Sequence, residues 1–419
     1  MRALGFARGQ AATAGIVSIG LRGLLLLGKF AFIIVLARCT TTATVGIYAL
    51  LVTIVTIAIY IIGLEIHTFT AREIVSDHTD GRGAIHIQSH LLTLFGVFLI
   101  ALPIIWWFTR WLDLAGKFNF PLLSVIILAE CYGQELGRYL MVMSRPVASN
   151  ILQFIRGAIW MPIPIAILLI GNREGAVDTV LWGWLGGAVA ACAFGFWQIR
   201  RYLVQLNRYR TAWLVEAFLS ARHYLVVALM TQVQYYSDRF IIQRVLGESS
   251  VGVYSFYQSF ANTMVAFVQT GVISVMLPQL LLSAKCNDLV AESRVRRSMI
   301  GWSMFLAVSI SAALGIGMPF LLHQMHKTGY DAALPVFYIL LTGNVILIAS
   351  LVVHLILYAR RRDAELMRIS LVVVPVGLAT NFMVVPIFGI RGAAWTFLAT
   401  ASLDLLVKSR LLWRLGRSR

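Results

Sequence analysis

The chain has 419 residues, 59% of them hydrophobic and 13% charged, with a mean hydropathy of +0.82. A soluble domain runs near 25% charged, so the composition excludes a soluble enzyme and leaves no space for an ATP-binding module; no Gly-rich phosphate loop ending in Lys-Ser or Lys-Thr occurs. A net charge of +17 would suggest nucleic acid in a soluble protein, but here the basic residues gather in loops on one side, and orientation in a membrane accounts for them with no nucleic-acid partner.

Apolar stretches about twenty residues long follow one another along the chain. A bilayer core takes about 20 apolar residues per helical crossing, and hydrocarbon offers no partner to backbone polar groups, so each stretch must be helical. Twelve helices are predicted, over 16–37, 46–65, 88–108, 119–142, 151–170, 179–199, 223–246, 251–282, 298–322, 332–358, 366–386 and 391–412. The first run is too long for a cleavable signal and leads straight into another. The eighth is long for one crossing and should continue past the bilayer as helix.

Several spans carry polar stripes. Helix one has Ser18, Arg22 and Lys29 on one face, with Lys29 about 4 Å from the middle of its span. Helix two has Thr53, Thr56, Tyr60 and His67, with Glu65 at its cytoplasmic end. Helix four has Glu130, Gln134 and Arg138 at steps of four, with Glu135 nearby; helix five has Asn150, Gln153 and Arg156. Helix seven has Thr231, Gln234 and Asp238 along one stripe with Arg239 adjacent, and helix eight has Gln258, Asn262 and Gln269. A charge at the bilayer centre costs about 2.5–3.5 kcal/mol or more, so such stripes face protein or water. They predict a hydrated central cavity lined by helices one, two, seven and eight, made cationic by Arg22, Lys29, Arg138, Arg156 and Arg239.

Duller roles stay open for the same residues. Arg22, Arg138 and Arg156 lie near helix ends, where they can snorkel to head groups. Arg239 could simply neutralise Asp238, and Glu130 could simply pair with Lys29 or Arg138. Arg38 and Arg244, at equivalent helix ends, suit interfacial anchoring. His86 with His90, and His323 with His326, share helix faces but have no third ligand, so no metal site is expected. No Ser, Cys or carboxylate pair suggests hydrolysis, and no catalytic residue is assigned. Cys39, Cys131, Cys192 and Cys286 are dispersed and form no disulfide frame.

Of the 35 Lys and Arg, 23 fall on one side, 7 on the other and 5 inside spans. The larger group includes Arg200, Arg201, Arg208, Arg210, Lys408 and Arg419; the smaller includes Arg173. Positive loops stay cytoplasmic, which places both termini inside, as an even number of spans also requires.

The chain repeats itself. Arg38, Val45, Gly46 and Tyr48 recur as Arg244, Val251, Gly252 and Tyr254, at one offset of 206. Gly175-Ala176, within Asn172-Arg173-Glu174-Gly175-Ala176-Val177, is echoed by Gly392-Ala393. Six spans return a chain to its starting side, so the halves form a parallel repeat: a six-helix lobe over 1–199, a basic linker over 200–222 and a second six-helix lobe over 223–419. The linker reads either as an interfacial amphipathic helix against anionic lipid or as a plain basic connector. The expected fold class is all-α integral membrane, with about 12 transmembrane helices in two parallel six-helix lobes around a central cavity.

Leu36-Ala37-Arg38 through Val45-Gly46-Ile47-Tyr48-Ala49-Leu50-Leu51 resembles the start of bacterial polysaccharide transporters of the O-antigen flippase type. So do Asp238-Arg239-Phe240, Val251-Gly252-Val253-Tyr254-Ser255-Phe256-Tyr257 and Gly389-Ile390-Arg391-Gly392-Ala393-Ala394-Trp395. The resemblance covers the whole chain and extends to the superfamily that includes multidrug exporters and the lipid II flippase; twelve spans fit the polysaccharide branch better than the lipid II branch, which usually has two more. It implies a flippase that moves undecaprenyl-pyrophosphate-linked oligosaccharide from the cytoplasmic to the periplasmic leaflet of the bacterial inner membrane. Transport would proceed by alternating access, driven by a cation gradient (H+ or Na+) and with no other cofactor. Membrane lipids, and a polysaccharide polymerase with its chain-length machinery, would be its partners. Arg22, Lys29, Arg138, Arg156 and Arg239 would then meet the pyrophosphate, to which Arg offers a bidentate fork, and Glu130 and Asp238 would couple the cation. The alternatives are a multidrug or cation antiporter of the same fold and a lipid II-type flippase. A membrane-embedded glycosyltransferase would need longer loops than any here.

Overall fold

The computed structural model describes residues 2–76, 82–171, 175–203, 211–286, 288–325 and 327–417. Among them every regular element is a helix: α1 (Arg2–Cys39), α2 (Thr42–Gly63), α3 (His67–Ser76), α4 (Arg82–Trp111), α5 (Phe120–Val142), α6 (Pro146–Phe154), α7 (Pro162–Ile170), α8 (Ala176–Leu203), α9 (Thr211–Leu246), α10 (Glu248–Val268), α11 (Ser274–Lys285), α12 (Leu289–Met325), α13 (Thr328–Asp331), α14 (Leu334–Ala359) and α15 (Asp363–Arg417). Arg173, Arg208, Arg210, His326 and Arg419, with the Asn172–Glu174 part of the repeat, lie outside the described residues.

Among the described residues nine helices are long and apolar enough to cross a membrane, or ten if Leu214–Arg222 and Tyr224–Leu246, bent by 54°, count as one span. Two features explain the difference from twelve. The fourth predicted span, α5, holds Glu130, Glu135 and Arg138, too many charges for an apolar criterion. The last two predicted spans run together as α15, whose 55 residues are broken only at Gly389 (φ 61°, ψ −145°); at about 1.5 Å per residue this is more than two hydrocarbon thicknesses of about 30 Å. The fifth predicted span is broken as well, into α6 and α7 by a π-helical turn at Ile155–Ile159. Pro162 and Pro164 follow it, and proline cannot continue the preceding hydrogen-bond ladder. A second π turn, Gln269–Ile273, separates α10 from α11, and the long eighth run does extend as helix to Lys285. The second span ends earlier than expected: Leu64 and Glu65 take left-handed backbones (φ 48° and 54°), and His67 opens the short helix α3.

The chain divides into two compact units, Met1–Thr40 with Ile47–Leu229, and Thr41–Gly46 with Met230–Arg419. In the first unit α5 packs on α8 and α6 with glycine at the closest approach: a methyl at Gly195 would stand 2.9 Å from Leu136 and Leu152 side chains. The second unit is centred on buried Tyr254, Phe256, Tyr257, Tyr330 and Phe337, and the Tyr257 hydroxyl donates to the Tyr330 carbonyl at 2.6 Å. Within this unit the repeated glycines acquire a reason. A methyl at Gly46 would lie 1.9 Å from the Glu248 carbonyl oxygen, and one at Gly252 would lie 1.9 Å from that of Thr42. Two first turns cross backbone to backbone there, and only glycine fits.

Candidate functional site

In the first unit, Glu130 on α5 is the centre of a buried polar network. It is 5% exposed, and each of its oxygens is engaged. Oε1 accepts from Trp184 Nε1 on α8 at 2.7 Å, and Oε2 pairs with Arg156 Nε at 3.3 Å. The π turn sets Arg156 in place, and its carbonyl accepts from Trp160 Nε1 at 3.1 Å. Gly133 clears the path of its stem, since a methyl there would sit 3.1 Å from Arg156 Cδ. Arg156 Nη1 is buried and has no hydrogen-bond partner among the described residues. Trp160 and Trp184 stack, with centroids 6.3 Å apart, and Phe32 stands edge-on to Trp160 and to Tyr48, at 5.2 and 5.3 Å. Glycine admits these rings too, because a methyl at Gly187 would lie 2.5 Å from Trp160.

Lys29 and Arg22 reach this region from α1. Gly28 and Leu25 pack that helix against the α6–α7 elbow; a methyl at Gly28 would lie 3.5 Å from Ala158 Cβ, and one at Gly157 would lie 2.6 Å from Leu25. Lys29 is exposed and forms no ion pair or hydrogen bond among the described residues; the charges of Arg156 and Glu130 act on it. Arg22 donates from Nε to Asn150 Oδ1 at 3.2 Å. With its one carboxylate already shared between Arg156 and Trp184, the Lys29–Arg156–Glu130 group carries surplus positive charge. Lys29 and Arg138 are thus not the partners of Glu130.

Arg138 belongs to a separate cluster in the same unit. Its Nη1 donates to Glu135 Oε1 at 2.7 Å and to His67 Nδ1 at 2.9 Å, and its Nη2 to Glu65 Oε1 at 3.3 Å. Two carboxylates therefore neutralise it. His67, on α3 outside the spans, is held down to about 3 by burial first and then by the Arg138 and His90 charges, so it stays neutral at pH 7 and can accept from Arg138. His90, beyond, pairs with the Tyr139 hydroxyl.

In the second unit, Asp238 is 6% exposed. It accepts from the Tyr254 hydroxyl at 2.6 Å and from the Arg239 backbone N–H at 2.7 Å. Arg239 lays its guanidinium 5.0 Å from the centroid of the Tyr236 ring. Asp238 also borders a cavity of about 30 Å³ with Gln234, Ser237, Asn381 and Thr400.

The sequence reading missed a further buried pair in this unit. Lys408, counted above on the cytoplasmic side near the end of the twelfth predicted span, is 7% exposed inside α15, where its Nζ meets Asp404 Oδ2 at 2.5 Å. Asp404 also accepts from Ser350 at 2.6 Å. An acid and a base four residues apart within an apolar run lie on one helix face, and that spacing was the available signal. Among the described residues no group of three His, Cys, Asp or Glu could hold a metal.

The fold is that of all-helical membrane transporters. An inward-facing multidrug resistance MATE family transporter of the MOP superfamily matches with a TM-score of 0.70 at 12% identity, covering 96% of this chain and 98% of that one. The lipid II flippase MurJ, in an inward closed conformation, matches at 0.73 and 11%, covering 96% and 87%. A MOP superfamily transporter from Pyrococcus furiosus Vc1, described by a reversed polarity of its binding pocket that suggests a different function, matches at 0.64 and 12%, covering 97% and 94%. No curated protein sequence matches the chain. The model of the polysaccharide biosynthesis protein family matches residues 13–281, and the chain belongs to that family. It is a multi-pass membrane protein.

Proposed function

We propose that the protein is a flippase for polyprenyl-pyrophosphate-linked oligosaccharide, carrying a polysaccharide repeat unit from the cytoplasmic to the periplasmic leaflet of the bacterial inner membrane, both its termini being cytoplasmic. The observation that carries the reading is the surplus cation of the first unit: exposed Lys29, which makes no hydrogen bond or ion pair among the described residues, stands with Arg156 near one carboxylate, Glu130, that Arg156 already engages. A pyrophosphate cannot enter hydrocarbon unaided, and such cations replace its hydration. Arg22 extends the cationic face along α1 towards the cytoplasmic end, whereas Arg138, saturated by Glu65 and Glu135, is a structural tie. Arg239 is a weaker contact, turned onto Tyr236.

Alternating access is coupled, in this reading, to H+ or Na+ at Glu130 and Asp238. Asp238 is supported by the small cavity it borders with Gln234, Ser237 and Thr400, where Asn381 Oδ1 is buried without a hydrogen-bond partner among the described residues. A polymerase and chain-length machinery would receive the product. A multidrug or cation antiporter is the second reading, favoured by the Phe32–Tyr48–Trp160–Trp184 rings around Glu130, since aromatic faces bind organic cations. Expression in a flippase-deleted strain and in a drug-sensitive strain separates the two. Restored surface polysaccharide without drug resistance supports the flippase; resistance lost in Glu130→Gln, with no restored polysaccharide, overturns it.

A further inference from the structure

We propose that the end of the second unit where α11 and α14 finish and α12 and α15 begin binds a phosphate-bearing anion at the membrane boundary, independently of the transported substrate. A cavity of about 540 Å³ opens there, lined by Lys285, Glu292, Tyr358, Arg360, Arg361 and Asp363 among others. The apolar spans end at Lys285 and Ala359 and resume at Leu289 and Asp363, so the cavity lies at head-group level rather than in the hydrocarbon.

Its charges are not mutually satisfied. Glu292 is buried and holds Arg360 with Oε1, 2.8 Å from Nε and 2.7 Å from Nη2. Lys285 and Arg361 remain; both are exposed, and neither side chain makes a hydrogen bond or ion pair among the described residues. Asp363 is the single carboxylate of the lining besides Glu292, and it opens α15, where a helix N-terminus already offsets its charge.

Arg361 supplies a second argument. Its φ is +58°, because it closes α14: the Arg361 N–H bonds to the Tyr358 carbonyl and the Arg362 N–H to that of Leu357, at 2.9 and 3.1 Å. Glycine is the residue that suits such a helix-ending turn. An arginine held there in a strained backbone, with a guanidinium that packs on no acid, fits a side chain kept for what it binds. Basic pockets between helices at this level suit anionic lipid head groups, and two cations of different reach suit the tetrahedral oxygens of a phosphate. A volume of about 540 Å³ admits a glycerophosphate head as well as a free phosphate.

Cys286, exposed and free next to Lys285, is a built-in reporter. The full chain is placed in phosphatidylcholine nanodiscs in phosphate-free buffer, and Cys286 labelling by a neutral maleimide is followed by peptide mass spectrometry. One arm adds phosphatidylglycerol to the discs; the other adds inorganic phosphate to the solution. Labelling should slow about tenfold in at least one arm, the arm identifying the source as lipid or soluble. Within each protein the ratio with and without anion is compared, which removes direct effects of substitution on thiol reactivity. Lys285→Gln/Arg361→Gln should lose the protection, while Arg362→Gln, whose partner is Glu365, should retain it. Equal protection in the double variant, or none in either arm for the wild type, would overturn the proposal.

Discussion

Glu130→Gln is the most informative single perturbation, because it removes one charge and almost no volume. The carboxylate stands 3.3 Å from Arg156 Nε and 2.7 Å from Trp184 Nε1, and it is 5% exposed. At that separation and an effective dielectric near 20, the ion pair is worth about 5 kcal/mol before desolvation. Removing one partner of a buried pair costs about 3–5 kcal/mol, much of it from the stranded charge. The arginine side chain is 20% exposed, so the lower end, about 3 kcal/mol, is expected. Glu130→Gln/Arg156→Gln leaves no stranded charge and should recover about 2 kcal/mol relative to the sum of the two single changes. Reversible unfolding in mixed detergent micelles, followed by tryptophan fluorescence, reads both numbers. A single variant within about 0.5 kcal/mol of wild type, or strict additivity in the double, would refute the network as drawn.

Gly252→Ala places a methyl 1.9 Å from the Thr42 carbonyl oxygen; overpacking should cost at least about 3 kcal/mol, seen as a large fall in folded protein on size-exclusion chromatography, whereas Gly271→Ala, with nothing nearer than 3.8 Å, should be close to neutral. His67 is depressed to about 3 in the folded protein, so the folded form binds fewer protons and its stabilising share is present above the unfolded value near 6.5 and lost as pH falls towards 3. Between pH 7 and pH 5 this amounts to about 2 kcal/mol, and His67→Gln should flatten the stability profile over that interval; an unchanged slope contradicts the assignment.

The sequence carried the fold well because hydrocarbon imposes one strong rule, a long apolar helix per crossing. It was weakest where helices break without losing hydrophobicity. The π turns at Ile155–Ile159 and Gln269–Ile273, and the left-handed Leu64–Glu65 corner, are backbone events that leave no period in the residues. The polar stripes drew attention to the charges of α1, α5 and the broken fifth span, yet spacing along one helix does not say which charge meets which. Glu130 found Arg156 and a tryptophan, and Arg138 found Glu65 from beyond the end of α2. Trp160 and Trp184 read as ordinary apolar residues, and only tertiary packing turns them into a stack beside a carboxylate. Lys408 was counted with the cytoplasmic charges for a related reason, since a cation near the end of a predicted span looks like a boundary residue until Asp404 is seen beside it. The repeated Val-Gly motif was legible as a pattern, but its cause, two backbones in contact, was not.

The central claim is that Lys29 and Arg156, two cations beside the single carboxylate of Glu130, receive the anionic head of a glycolipid. Purified protein in proteoliposomes, supplied with a fluorescent short-chain polyprenyl-pyrophosphate oligosaccharide and assayed by loss of probe from a quenchable leaflet, addresses it directly. A charged hydrogen bond is worth about 1.5–3 kcal/mol, so Lys29→Gln should slow flipping about 10- to 100-fold, Lys29→Arg should retain most of it, and both should insert like wild type. Wild-type rates in both Lys29→Gln and Arg156→Gln, with normal insertion, would contradict the account.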